Sequence, residues 1–83
     1  MTRTVTVTLY GTLANLAGVP SVSIEAKTIR DVLRGLEVAH PELADHLEAG
    51  VSVSIDGRIY TESLFQPVTP DNEVLILPRI AGG

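Results

Sequence analysis

The run Glu73-Val74-Leu75-Ile76-Leu77 constrains the fold of this 83-residue chain more than any other segment. It follows a Pro70-Asp71-Asn72 turn, and its four residues after Glu73 are all apolar, so a strand built from it is apolar on both faces. Such a strand is either buried on both sides or presents one side to a partner. A chain this short has one domain and one core, near the lower size limit for folding without staples. The run is therefore expected at the centre of the sheet, with other strands on both edges.

The remaining elements follow in a clear order. Arg3 to Tyr10 alternates, with Val5, Val7 and Leu9 on one face and Thr4, Thr6, Thr8 and Tyr10 on the other. Gly11 breaks this strand, Leu13 to Ala17 makes a short loop or a turn of helix, and Gly18 with Pro20 leads into a second strand. There Val22, Ile24 and Ala26 alternate against Ser21, Ser23 and Glu25. Thr28 is an N-cap with Asp31 three residues on, and Ile29, Val32, Leu33 and Leu36 fall on one face of the helix that begins there. His40-Pro41 ends that helix, because the residue before proline is driven out of the α region. A second short helix is predicted over Glu42 to Glu48, with Leu43 and Leu47 inward and Gly50 as its stop. Val51, Val53 and Ile55 form a further strand, and Asp56-Gly57 predicts a two-residue hairpin into Arg58-Ile59-Tyr60.

The order strand, strand, helix, strand, strand, strand gives a two-layer α+β domain. We expect a β-grasp: a mixed sheet of four to five strands packed on one main helix, with a second short helix. The domain is expected to span 1–78, with 79–83 as a flexible tail. One sheet face meets the main helix; the opposite face has no cover within the chain.

Composition removes several function classes. There is no cysteine, hence no disulfide framework, no thiolate nucleophile and no thiolate metal site. The formal charge is -4, and the basic residues Arg3, Lys27, Arg30, Arg34, Arg58 and Arg79 are scattered rather than striped, which argues against nucleic acid as a partner. The Met1-Thr2-Arg3-Thr4 start passes straight into strand alternation with no apolar leader or spanning segment, which predicts a cytoplasmic protein without a membrane partner. His40 and His46 stand six apart, off a common helix face, and are read as capping or surface residues rather than a metal site. Glu42, Asp45 and Glu48 read as a solvated acidic face, with a further capacity to steer a basic partner.

The chain ends in Pro78-Arg79-Ile80-Ala81-Gly82-Gly83. Two glycines lack any Cβ, so this ending can thread a channel too narrow for side chains and carry a carboxylate into another protein's active site. Taken with Leu9-Tyr10-Gly11-Thr12-Leu13-Ala14-Asn15-Leu16-Ala17-Gly18, the Thr28-Ile29-Arg30-Asp31-Val32-Leu33 helix start, the Val53-Ser54-Ile55-Asp56-Gly57 hairpin and the segment Pro70 to Leu77, it resembles the sulfur-carrier proteins of the MoaD/ThiS family over nearly the whole length. The tail also looks like that of the CysO-type carriers of cysteine biosynthesis. Ile76-Leu77 replaces the family's aromatic pair, Arg79 its second proline, and Asp56 its hairpin asparagine.

The resemblance implies a protein substrate rather than an enzyme. Gly83 would be adenylated by an E1-like adenylyltransferase and sulfurtransferase and converted to a thiocarboxylate that donates sulfur, most commonly as the molybdopterin synthase small subunit in molybdenum cofactor biosynthesis. A CysO-type or secondary-metabolite carrier, and a ubiquitin-like modifier, are the alternatives. The downstream partner is then a sulfur-acceptor enzyme, of molybdopterin synthase large-subunit or cysteine synthase type. No cofactor is expected on this chain; ATP and magnesium, with zinc as a further candidate, belong to the activating partner. Arg79, Ile80, Ala81 and Gly82 would thread that partner's active site, while Tyr10, Leu75 and Leu77 match the exposed docking positions of the family.

Overall fold

The computed structural model describes residues 4–61 and 63–78. The alternation at the start of the chain forms β1 (Thr4–Leu9), with Val5, Val7 and Leu9 buried. A short helix α1 (Thr12–Ala17) lies where a loop or single turn was expected; it buries Leu13 and leads to β2 (Ser21–Glu25). The main helix α2 (Ile29–Ala39) places Ile29, Val32 and Leu36 in the core, with Leu33 packed half-buried beside them. Beyond His40 the predicted second helix divides into a tight turn of 3-10 helix (Pro41–Leu43) and α3 (Ala44–Ala49), burying Leu43 and half-burying Leu47. Then come β3 (Val51–Ile55), β4 (Arg58–Tyr60) and β5 (Val74–Pro78).

The five strands form one mixed sheet in the order β2-β1-β5-β3-β4, a β-grasp, with the apolar last strand in the middle as its composition requires. β5 runs parallel to β1, pairing Val7 with Val74 and Leu9 with Ile76, and antiparallel to β3, pairing Val53 with Ile76 and Ile55 with Val74. Val74 and Ile76 are 0% exposed.

Three long-range devices hold the layers in place. Thr28 caps α2 by accepting from the Asp31 N–H at 3.4 Å, while the Asp31 carboxylate reaches back past the cap to the Lys27 N–H at 3.1 Å. The next two donors, Ile29 N–H and Arg30 N–H, bond to the carbonyls of Gln66 (3.0 Å) and Leu64 (2.8 Å). The connection between β4 and β5 thus satisfies the first turn of a helix far earlier in the chain.

At the hairpin, Asp56 (φ 51) and Gly57 (φ 88) both occupy the left-handed region that a two-residue primed turn requires. The Asp56 carboxylate accepts from Glu73 N–H and from Asn72 Nδ2, both at 2.7 Å, and Asn72 Oδ1 in turn accepts from Thr69 N–H at 2.8 Å. This clamp sets where β5 begins. Gly35, finally, is the close-approach residue of α2: a Cβ there would run into the Ile24 Cγ2 methyl of β2.

Two stability changes follow. Gly35→Ala ought to gain about 1 kcal/mol from helix propensity, but the clash with Ile24 costs about 1–3 kcal/mol, so thermal unfolding should show a lower Tm, whereas a Tm above wild type would mean that the helix shifts freely on the sheet. Asp56→Ala removes two hydrogen bonds to a charged acceptor and puts alanine in the left-handed region, a loss of roughly 1–3 kcal/mol. Asp56→Asn tolerates that backbone and keeps a carbonyl acceptor, and should lose visibly less when the two variants are compared by urea titration.

Candidate docking face and tail exit

The sheet face away from α2 is assembled by register. Directly paired residues share a face, so the row Thr8, Leu75, Ser54, Ile59 runs across β1, β5, β3 and β4, and Leu77 with Ser52 forms the start of the next row. Leu75 and Leu77 are half-buried, in contrast to Val74 and Ile76 on the core side of the same strand. Tyr10 follows β1 on the same phase as Thr6 and Thr8, is 60% exposed, and donates its backbone N–H to the Ile76 carbonyl at 3.1 Å. One step past the Leu9–Ile76 pair, it stands at the Leu77 end of β5. The structure thus brings Tyr10, Leu75 and Leu77 to one face and one end of the sheet.

Because β1 and β5 are parallel, their C-terminal ends emerge together. Pro78, half-buried and paired with Val51, is the last described residue of β5, and a Cβ added at Gly11 would lie 3.9 Å from its ring Cγ. The end of β5 therefore lies beside the Tyr10-Gly11 turn. Arg79, Ile80, Ala81, Gly82 and Gly83 lie outside the described residues.

One residue of this face escaped the sequence reading. Ile59 is 55% exposed opposite Ser54, and Ser54 is buried between Ile59 and Leu75. The signal was present: a lone isoleucine between Arg58 and Tyr60, at the phase opposite the tyrosine that packs on the core. What hid it was β4 itself, whose three residues are too few to show a period.

The other chemistry-bearing residues stay apart. His40 Nδ1 lies 3.5 Å from the Glu42 carboxylate at the junction after α2, and His46 is exposed on α3. Glu42, Asp45 and Glu48 are all exposed. Among the described residues no group of three or more His, Cys, Asp or Glu side chains is placed to hold a metal ion. Nor is any described helix long and apolar enough to cross a membrane.

Solved structures of the same shape are plentiful. The solution structure of small archaeal modifier protein 1 from Methanosarcina acetivorans superposes with a TM-score of 0.80 at 23% identity, covering 100% of this chain and 99% of that one. A putative molybdopterin converting factor, subunit 1, from Pyrococcus furiosus gives a TM-score of 0.78 at 19% identity, covering 94% and 99%. The Amycolatopsis orientalis BexX/CysO complex contains a chain matching at a TM-score of 0.72 and 22% identity, over 95% and 99%. At these identities the likeness establishes the fold. No curated protein matches the sequence. The family model that does match is the ThiS family, aligned to residues 7–83, and this chain belongs to that family.

Proposed function

We propose that this protein is a sulfur carrier whose C-terminal Gly83 carboxylate is adenylated by an E1-like enzyme and then converted to a thiocarboxylate. The observation that carries the reading is the join of two features: a match to the ThiS family that runs to residue 83, and a β5 strand whose end at Pro78 lies beside an apolar, uncovered face. A carboxylate is a poor acyl donor, since its charge repels nucleophiles and oxide leaves badly. In the proposed sequence its oxygen attacks the α-phosphorus of ATP with loss of pyrophosphate. Sulfide then attacks the acyl carbon and displaces AMP, leaving the thiocarboxylate.

Within this chain no side chain is needed for either step. The protein is a substrate whose own contribution is positional: Tyr10, Leu75 and Leu77 dock, and residues 79–82 thread the partner's channel. Burial of that patch supplies a few kcal/mol at roughly 25 cal/mol per Å² of apolar area, before the costs of association. ATP and magnesium belong to the activating enzyme. The preferred recipient is the molybdopterin synthase large subunit, a reading supported by the likeness to the Pyrococcus furiosus converting-factor subunit; the likeness to the CysO chain of the BexX/CysO complex supports a CysO-type or secondary-metabolite carrier instead. A second reading, a ubiquitin-like modifier that ends as an isopeptide on a target lysine, is favoured by the likeness to the archaeal modifier protein.

Incubated with its activating enzyme, ATP and a sulfide source, the chain should gain the intact mass expected for one oxygen replaced by sulfur. Deleting Gly83, or adding one residue after it, should block the gain without changing Tm, and a bulky residue at Gly82 should impair it. Sulfur on the extended, untrimmed protein would place the site elsewhere; lysine adducts in place of a thiocarboxylate would select the modifier reading.

Docking is tested separately. Tyr10→Glu and Leu77→Glu alter residues that stand outside the core, so their stability should fall by about 0.5 kcal/mol or less for Tyr10 and somewhat more for half-buried Leu77. Pyrophosphate release by the activating enzyme should nevertheless drop by at least about tenfold, the equivalent of roughly 1.4 kcal/mol of lost contact. Wild-type activation of both variants would remove this face from the recognition surface.

A further inference from the structure

The two edges of the sheet are finished differently. β4 is three residues long and follows a tight turn, which leaves little for another strand to pair with. β2 is five residues long, and its only partner among the described strands is β1. The Leu9 N–H bonds to the Pro20 carbonyl at 2.8 Å, which continues the register of Val7 with Val22 and Val5 with Ile24. Hydrogen-bonded pairs alternate along an antiparallel ladder, so these pairs carry the bonds to β1. The backbone N–H and C=O groups of Ser21, Ser23 and Glu25 therefore point outward, along the free edge.

Beside that edge a shallow groove of about 420 Å³ separates β2 from α2. Ile24, Gly35, Val38 and Ala39 give it an apolar floor, and Asp31 and Arg34 put both signs of charge on its rim. Val38 is 82% exposed, the most exposed large aliphatic side chain described. It stands on a helix whose other apolar residues of that size, Ile29, Val32, Leu33 and Leu36, pack on the core.

We propose that β2 pairs antiparallel with β2 of a second copy of this chain, with Ser23 on the two-fold axis, joining two sheets into one. A second copy fits because the edge is self-complementary. The outward backbone groups at 21, 23 and 25 are symmetric about 23, so every donor meets an acceptor under a two-fold rotation. That register sets Ser21 of one copy opposite Glu25 of the other and Ser23 opposite Ser23, so no like charges are paired across the ladder. On the helix side the two grooves meet edge to edge. Each offers Arg34 together with Asp31, a mixed rim that complements itself, whereas a uniformly charged peptide would find half of it repulsive. The face carrying Tyr10, Leu75 and Leu77 lies on the other side of the joined sheet and stays uncovered, so this pairing is independent of the carrier reading.

Sedimentation equilibrium on the full chain tests it. The average mass should rise with concentration from 8.8 kDa towards twice that value, and more steeply at 0.15 M salt than in low salt, since two copies of charge -4 repel each other over a longer range when screening is weak. Ser23→Pro deletes an outward N–H at a position not bonded to β1, which an edge strand tolerates, and should sediment as a monomer with its Tm nearly retained. Val38→Glu, on the exposed side of α2, should do the same by placing two carboxylates in the joined groove. A wild-type chain that remains monomeric to millimolar loading overturns the proposal. So does association that survives both variants but is lost in Leu77→Glu, which would move the contact to the opposite face.

Discussion

Everything in this fold depends on β5 being paired on both sides. It is parallel to β1 and antiparallel to β3, and a parallel neighbour cannot be reached by a tight turn. The chain between β1 and β5 must therefore cross over, and α2 is the part of that crossing that covers the sheet. Val74 and Ile76 meet the helix side with no exposure at all, while Leu75 and Leu77 are left half-covered on the other. The same alternation that closes the core creates the uncovered face. Pairing also anchors Pro78 between Val51 and the Tyr10-Gly11 turn, so whatever follows starts from a fixed point at the end of the central strand.

Much of this was legible because it rests on short-range patterns. The period of two in β1 and β2, the Thr28 cap with Asp31, the proline after His40 and the Asp56-Gly57 turn are each specified within a few residues, and each stands where the pattern placed it. The central position of β5 was legible for a different reason: four consecutive apolar residues leave an edge strand no face to give to water. The phase of Tyr10 came from the alternation of β1, whereas that of Leu75 and Leu77, in a run apolar on both faces, came only from the family resemblance.

What the pattern did not carry is long-range. α1 has no capping side chain at Gly11 and only six residues, so it is held by burial of Leu13 rather than by propensity. Nothing local reveals that Asp56 would clamp Asn72 and Glu73 sixteen and seventeen residues later, or that the carbonyls of Leu64 and Gln66 would finish the N-terminus of α2. Gly35 in a helix looks like a weak point until Ile24 is seen against it. Ile59 was lost for want of strand length. Apart from Ile59, each of these is a contact between separate segments of the chain, which composition and periodicity do not encode.

This division has a functional side. In β5, inward and outward residues alternate along one strand: Val74 and Ile76 hold the domain, and Leu75 and Leu77 face outward, where the proposed docking places recognition. Substitution at the inward pair costs the fold, at about 2–5 kcal/mol for truncation of a buried isoleucine to alanine. Substitution at the outward pair changes a surface while Val74 and Ile76 keep their contacts. A family that shares this fold can therefore redirect its partners by changing the outward phase alone. In this chain Ile76 is core, and Leu77 beside it leaves an aliphatic knob on the uncovered face.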